Sequence, residues 1–372
     1  MANIKNKAAA FFRAQPVLVI AFTAALATVF IVPPDAEYKG YCSRTVLIQL
    51  FSLMLAVSGF RSIGVFDRAT SFILQKTGSI RSLGRVLVLI CFFTSMLVTN
   101  DVALLTFVPL TIMIFGKTRD EKSRIMTIVL ETAAANMGSM LTPIGNPQNL
   151  FIYDKYNMSV SDFITATLPS GAVSLACLMG LCFLLPKTPC AATEASDVTV
   201  SRGKAVVYSA VFALCLACVL RLVPDWTCLA AAVAAALICD TSLLRKVDYA
   251  LLATFVCFFV FVGNIARIGE VSSFFRDILD GRELFVALGL SQVISNVPAA
   301  VMLSDFTDNG KALLLGVDLG GLGTMIASLA SLISFQIYRK SEGARPLRYT
   351  ATFTVVSLAM LAVLIPAALI MN

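Results

Sequence analysis

The chain has 372 residues, 58% of them hydrophobic, with a mean hydropathy of +0.86 and a formal net charge of +7. So much apolar surface, in runs that approach or exceed about 18 residues with few charges, excludes a soluble domain and indicates a polytopic helical membrane protein. The absence of histidine excludes sites that need imidazole, and the basic residues sit in short links between apolar runs, which indicates membrane orientation rather than nucleic-acid binding.

In chain order, the basic start MANIKNKAAAFFRAQP leads into a run long enough to span, with no small-residue cleavage site, so a first crossing is expected there. Full spans are expected at 16–32, 43–60, 122–153, 163–186, 205–222, 226–240, 248–268, 310–338 and 349–371. The runs 84–116 and 282–307 do not fit a single crossing. Each holds polar residues near its middle, Thr99-Asn100-Asp101 in one and Ser295-Asn296-Val297-Pro298 in the other, and each reads as a re-entrant hairpin. Segments 61–81 and 270–281 are amphipathic and are expected along the interface. Cys215 and Cys218 form a C-x-x-C one turn apart, read here as small apolar residues of a membrane helix.

With the N-terminus inside and each hairpin returning to its own side, the inner segments hold 21 of the 29 Lys and Arg residues. This bias supports nine crossings plus two hairpins, with the C-terminus outside. Residues 136–153, NMGSMLTPIGNPQNLFIY, also align with 318–335, DLGGLGTMIASLASLISF, at a constant offset of 182. Each copy follows a hairpin whose tip carries Asn. The chain is therefore read as a first repeat (1–186), a connecting loop and linking helix (187–224), and a second, inverted repeat (225–372). Inverted repeats with paired interrupted segments mark secondary transporters and place the substrate at the midplane.

Chemistry is expected at the interruptions. Pro143, Gly145 and Pro147 stop a helix inside an apolar run, and the freed backbone groups must face protein or ligand. Thr142, Asn146, Gln148 and Asn149 supply neutral donors and acceptors beside the start of a second half-helix, whose positive end suits an anion. Asn296 is expected as an N-cap with Pro298 in the outgoing first turn, and Thr99 with Asn100 takes that part in the first hairpin. The expected substrate-binding set is Thr99, Asn100, Thr142, Asn146, Asn149, Ser295, Asn296, Thr324 and Ser328. Asp101, Gly138, Asp318 and Gly320 are expected around a cation or proton, since intramembrane carboxylates mark ion paths. Glu131, two turns from Arg124, is read as a structural or interfacial carboxylate. No basic residue falls at the expected midplane.

The stretches LVTNDVALLTFVPLTI, AAANMGSMLTPIGNPQNLFIY and LSQVISNVPAAVML resemble the ion transporter superfamily. That superfamily groups arsenite permeases, NhaD-type sodium/proton antiporters, citrate transporters and divalent-anion/sodium symporters. The nearest likeness is to its compact bacterial anion permeases of the YbiR type. The resemblance implies secondary transport of a small carboxylate or oxyanion, a homodimeric scaffold and elevator-like movement of hairpins and broken helices. It also implies a prokaryotic inner-membrane location, with Na⁺ or H⁺ as coupling ion and no cofactor. In the divalent-anion symporters each tip reads Ser-Asn-Thr. Here Asn100 and Asn296 and the preceding hydroxyls carry over, and the third-position threonines do not. A cation/proton antiporter using Asp101 and Asp318, an arsenite-type efflux permease, and a membrane-embedded enzyme limited to Asp, Ser and Lys chemistry are the other readings.

Overall fold

The computed structural model describes residues 15–66, 68, 78–116, 120–189 and 200–371. The basic start up to residue 14, stretch 69–77 of the amphipathic segment 61–81, and parts of the links 117–124 and 187–204 lie outside the described residues. Helices run at α1 (Pro16–Ile31), α2 (Arg44–Ser62), α3 (Ile80–Ser95), α4 (Asn100–Gly116), α5 (Glu121–Ser139), α6 (Pro147–Lys155), α7 (Val160–Leu181) and α8 (Arg202–Val219). They continue at α9 (Asp225–Cys239), α10 (Tyr249–Ala266), α11 (Gly269–Leu279), α12 (Glu283–Ile294), α13 (Asn296–Leu303), α14 (Gly310–Leu319), α15 (Leu329–Arg339) and α16 (Pro346–Met371).

Their starts follow from short polar side chains placed where apolar runs begin. Ser43 accepts from the Val46 amide at 3.3 Å, Asp120 from Ser123 at 3.1 Å and Ser159 from Asp162 at 3.0 Å. Asp248 and Asn309 do the same for Leu251 and Ala312, satisfying amides that a helix leaves unpaired. Helices α2, α7, α8, α10 and α16 are long and apolar enough to cross a membrane. Helices α1 and α9, also expected as crossings, are shorter at 16 and 15 residues. The protein is an all-α polytopic membrane protein. α11, in the expected interfacial segment, leaves Phe274 exposed.

Two interruptions divide the expected spans 122–153 and 310–338. Between α5 and α6, Asn146 is extended immediately before Pro147, as a residue preceding proline prefers, and Pro147 opens α6. The turn folds back tightly on the end of α5, because a Cβ at Gly145 would lie 2.2 Å from the Ser139 carbonyl oxygen. Between α14 and α15 there is no proline. Gly323 turns the chain instead, at φ +109°, a conformation open only to glycine. Prolines make one break and glycines the other, yet α6 and α15 begin 182 residues apart.

The packing interleaves the two halves of the chain. α15 packs on α4, and α6 packs on α13, so each second half-helix lies against the outgoing arm of the other helix pair. α5 is central, in contact with α3, α4, α7, α15 and α16. One apolar core forms around α2, α6, α8, α9, α10 and α13, and a second around α3, α4, α5 and α16.

Candidate functional site

The two tips differ in construction. In the first, α3 and α4 are joined by residues 96–99, and the Asn100 side-chain oxygen accepts from the Asp101 amide at 2.9 Å. In the second, Ser295 alone separates α12 from α13, at φ 78° and ψ 155°. That region is essentially reserved for glycine and costs a serine on the order of 1–3 kcal/mol, so the surrounding structure must impose it. The imposing contacts run to the second break: the Asn296 amide donates to the Ala327 carbonyl at 2.9 Å, and the Ser295 hydroxyl donates to the same oxygen at 3.4 Å. This corrects the expected cap. Ser295 occupies the cap position, while Asn296 is the first helical residue and accepts from the Val297 amide at 3.0 Å. The tight single-residue turn leaves no room for a separate capping side chain.

Asn136, in the last turn of α5, joins segments from both halves. Its side-chain oxygen accepts from Asn100 Nδ2 at 3.0 Å and from the Ser328 hydroxyl at 2.9 Å. Its Nδ2 donates to Ser331 Oγ at 3.3 Å and to the Gly321 carbonyl at 3.5 Å. The tip of the first pair is thereby tied to the second break. Gly321 lies beside the second tip as well, since a Cβ there would stand 3.2 Å from Asn296 Nδ2 and 3.7 Å from Asn136 Oδ1.

Asp318, in the last turn of α14, holds the equivalent place. Gln148 Nε2 donates to its Oδ1 at 3.4 Å, and its Oδ2 has no hydrogen-bond partner among the described residues. Asp318 is buried, as are Asn146, Gln148 and Asn149. Neither Asn146 nor Ser328 caps the helix that it precedes. The Ser328 hydroxyl is spent across the interface instead.

The remaining expected residues fall at distinct places. Thr142 donates to the Met96 carbonyl at 2.5 Å, locking the first break to the first tip. Asn149 Nδ2 donates to the carbonyls of Ser139 and Thr142 at 3.2 and 3.4 Å and so holds the first break in shape. Thr99 and Asp101 are half-buried and face each other. Gly138 packs against α3, where a Cβ would meet the Phe92 carbonyl at 2.1 Å, and Gly320 packs against Ser291. Thr324 is exposed and committed to Gln292, to whose backbone oxygen its hydroxyl donates at 3.0 Å. The carboxyls of Asp101 and Asp318 share no hydrogen bond among the described residues. Glu131 is fully buried, and the guanidinium of Arg124 is occupied by the carbonyls of Glu342 and Gly343 rather than by this carboxylate.

Three residues outside the expected set complete the geometry. Asn136 and Gln148 join the halves, and Gln292 stitches the second break to α12 through the carbonyls of Gly320 and Leu322 at 2.9 and 3.0 Å. The sequence signal for each was an amide inside an apolar run, and Asn136 also stood opposite Asp318 in the repeat alignment.

Among the described residues, no Lys or Arg side chain hydrogen-bonds to any of these groups. Three buried oxygens, Asn146 Oδ1, Asn149 Oδ1 and Asp318 Oδ2, have no hydrogen-bond donor. An array of buried acceptors without donors is costly as it stands and is the kind of arrangement that a cation or a proton relieves. Two cavities of about 490 and 400 Å³ lie elsewhere, the first beside Arg221 and Asp225 and the second beside Lys155 and Arg267.

Comparison with known proteins places these features in context. The citrate transporter family, CitMHS, matches residues 8–309, a span that contains both tips and the first break and stops before the second. An uncharacterized transporter of Methanocaldococcus jannaschii, MJ0456, is 33% identical over 294 residues, covering 78% of this chain and 80% of that protein. Inner membrane protein YbiR of Escherichia coli is 30% identical over 299 residues, covering 78% and 79% of the two chains. An uncharacterized transporter of Mycobacterium tuberculosis, Rv2685, is 25% identical over 343 residues, covering 80% and 78%.

Proposed function

We propose, from the premise that this chain belongs to the CitMHS citrate transporter family, that it is a secondary active transporter of a small carboxylate or oxyanion, coupled to Na⁺ or H⁺. Family membership makes it a membrane transporter and not an enzyme. The observation that carries the finer reading is the junction at Asn136, where the first tip and the second break meet on one amide. In this conformation the polar groups of the two halves serve as one another's partners, so a ligand enters only when they part. Their parting exposes amides, hydroxyls and helix starts that an anion can use. The donorless oxygens at Asn146, Asn149 and Asp318 favour a co-bound cation.

In this reading nine crossings and two re-entrant hairpins form two inverted repeats, with the N-terminus in the cytoplasm and the C-terminus outside. The hairpins and broken helices move together as an elevator against a scaffold of a homodimer in a prokaryotic inner membrane. Substrate contacts come from the tips and breaks, namely Thr99, Asn100, Thr142, Asn146, Asn149, Ser295, Asn296, Thr324 and Ser328. Asp101, Gly138, Asp318 and Gly320 surround the coupling ion. An uptake screen in proteoliposomes, with radiolabelled citrate, succinate, phosphate and arsenite, tests the substrate class. Concentrative uptake of at least one anion under a Na⁺ or H⁺ gradient supports the reading. Transport of sodium against a pH gradient with no anion present would replace it with the antiporter reading.

A further inference from the structure

Glu131 lies near the middle of α5 and is fully buried. Its Oε1 accepts from the Thr111 hydroxyl on α4 at 2.6 Å, and its Oε2 has no hydrogen-bond partner. Among the described residues, no Lys or Arg pairs with its carboxyl. Arg124, two turns earlier on the same helix, spends its guanidinium on two carbonyls and the face of Tyr338. The titratable groups that interact with Glu131 are the Cys91 thiol of α3, which donates to its backbone oxygen, and the Tyr349 phenol of α16. Among the described residues, none from α7, α14 or α15 hydrogen-bonds to its carboxyl. Beside it, the hydroxyls of Thr132, Ser334 and Tyr349 form a continuous hydrogen-bonded set, at 2.6 and 2.9 Å.

An ionised carboxylate in such a place costs several kcal/mol at least, and neither partner here can repay it. A neutral carboxyl fits: one oxygen accepts from Thr111, and the other bears a proton. That proton has no acceptor among the described residues in this conformation. A purely structural tether to Thr111 would need only an amide or hydroxyl acceptor. The chain carries an ionisable group instead, one turn and a half from Asn136 along the same helix.

We propose that Glu131 is a proton-binding site of the transport cycle, loaded in this conformation and distinct from the site at the tips. The proposal rests on the reading of the chain as a coupled transporter, and it adds a proton-binding carboxyl outside the ion and anion site at the tips and breaks.

The test is the Glu131→Gln variant, which keeps the Thr111 contact and removes the proton, measured in two ways. In the first, infrared spectra of the reconstituted protein are recorded across a pH titration without any anion. The wild type is expected to show the C=O band of a buried neutral carboxyl that bleaches reversibly at alkaline pH, and E131Q to lack it. A band unchanged in E131Q, or one that never titrates, overturns the proposal. In the second, radiolabelled citrate flux is followed against pH, where a single-site titration changes occupancy about tenfold per pH unit. E131Q should flatten that dependence to within about twofold, and a variant with the wild-type profile overturns the proposal. If the wild type carries no citrate, the transport reading fails for that anion, while the infrared titration still decides Glu131.

Discussion

Asn136 accepts the Ser328 hydroxyl at 2.9 Å, and Asp318, 182 positions on from Asn136, accepts from Gln148 Nε2 at 3.4 Å. The last turn before each break therefore meets a residue at the start of the half-helix beyond the other break. This reciprocity holds with the two acceptors at the 182-residue offset of the sequence alignment. It arises here although prolines make one break and glycines the other.

Breaking that exchange should separate transport from folding. Asn136→Ala leaves Asn100 Nδ2 and the Ser328 hydroxyl without their shared acceptor, at a cost of about 1–3 kcal/mol. Transport should fall at least about tenfold, the rate equivalent of roughly 1.4 kcal/mol, with an unchanged size-exclusion profile. Wild-type transport by this variant would remove the junction from the mechanism.

The tips make a related prediction. Asn100→Ala and Asn296→Ala each lose a side chain that meets Asn136 or its own helix start. A contact of that kind is worth about 0.5–2 kcal/mol, too little to unfold the bundle. Both variants should insert and fold yet fail to transport. Normal uptake in both would take the tips out of the site.

How far the sequence revealed these features depends on the range of the interaction. Helix starts at Asn100, Asn296 and Pro147 were legible because proline, asparagine and serine act within a turn of themselves. The partnerships were less legible. Asn136 and Ser328 lie 192 residues apart, and no local pattern specifies which hydroxyl reaches which amide. Ser295 was expected to donate a hydroxyl, and its positive φ was invisible because tertiary bonds to Ala327 impose it against its own preference. Thr324 looked equivalent to Thr142 by alignment, and each hydroxyl does donate to the carbonyl four residues before its tip asparagine, Gln292 and Met96; the Gln292 side chain, with no matching amide in the first helix pair, adds a bond from the Thr324 amide.

Gly323 offers a test of the second break. At φ +109° and with a Cβ only 2.2 Å from Gln292 Oε1, Gly323→Ala combines backbone strain with a clash. The backbone part alone is about 1–3 kcal/mol, so the thermal midpoint of the purified protein should drop by several degrees. An unchanged midpoint would mean that the break does not adopt this turn.

Orientation is open to labelling. Single cysteines at Ser341, between α15 and α16, and at Asp35, before α2, should react with impermeant reagent from opposite sides. Ser341 is expected to label from the cytoplasm and Asp35 from outside. Labelling of both from one side would contradict the nine crossings and two hairpins.

Cation coupling is the central claim, and it follows from charge. An anion beside Asp318, with no basic side chain at hand, meets a repulsion of about 4 kcal/mol at ~4 Å and an effective dielectric near 20. A cation or a proton must enter with it. The direct measurement is radiolabelled citrate uptake into proteoliposomes with Na⁺ and H⁺ gradients imposed separately, in the wild type, Asp101→Asn and Asp318→Asn. The account predicts that one gradient drives wild-type uptake above equilibrium and that the substitutions flatten its ion dependence. Uptake that equilibrates identically with and without both gradients, and variants that keep the wild-type ion dependence, would contradict it.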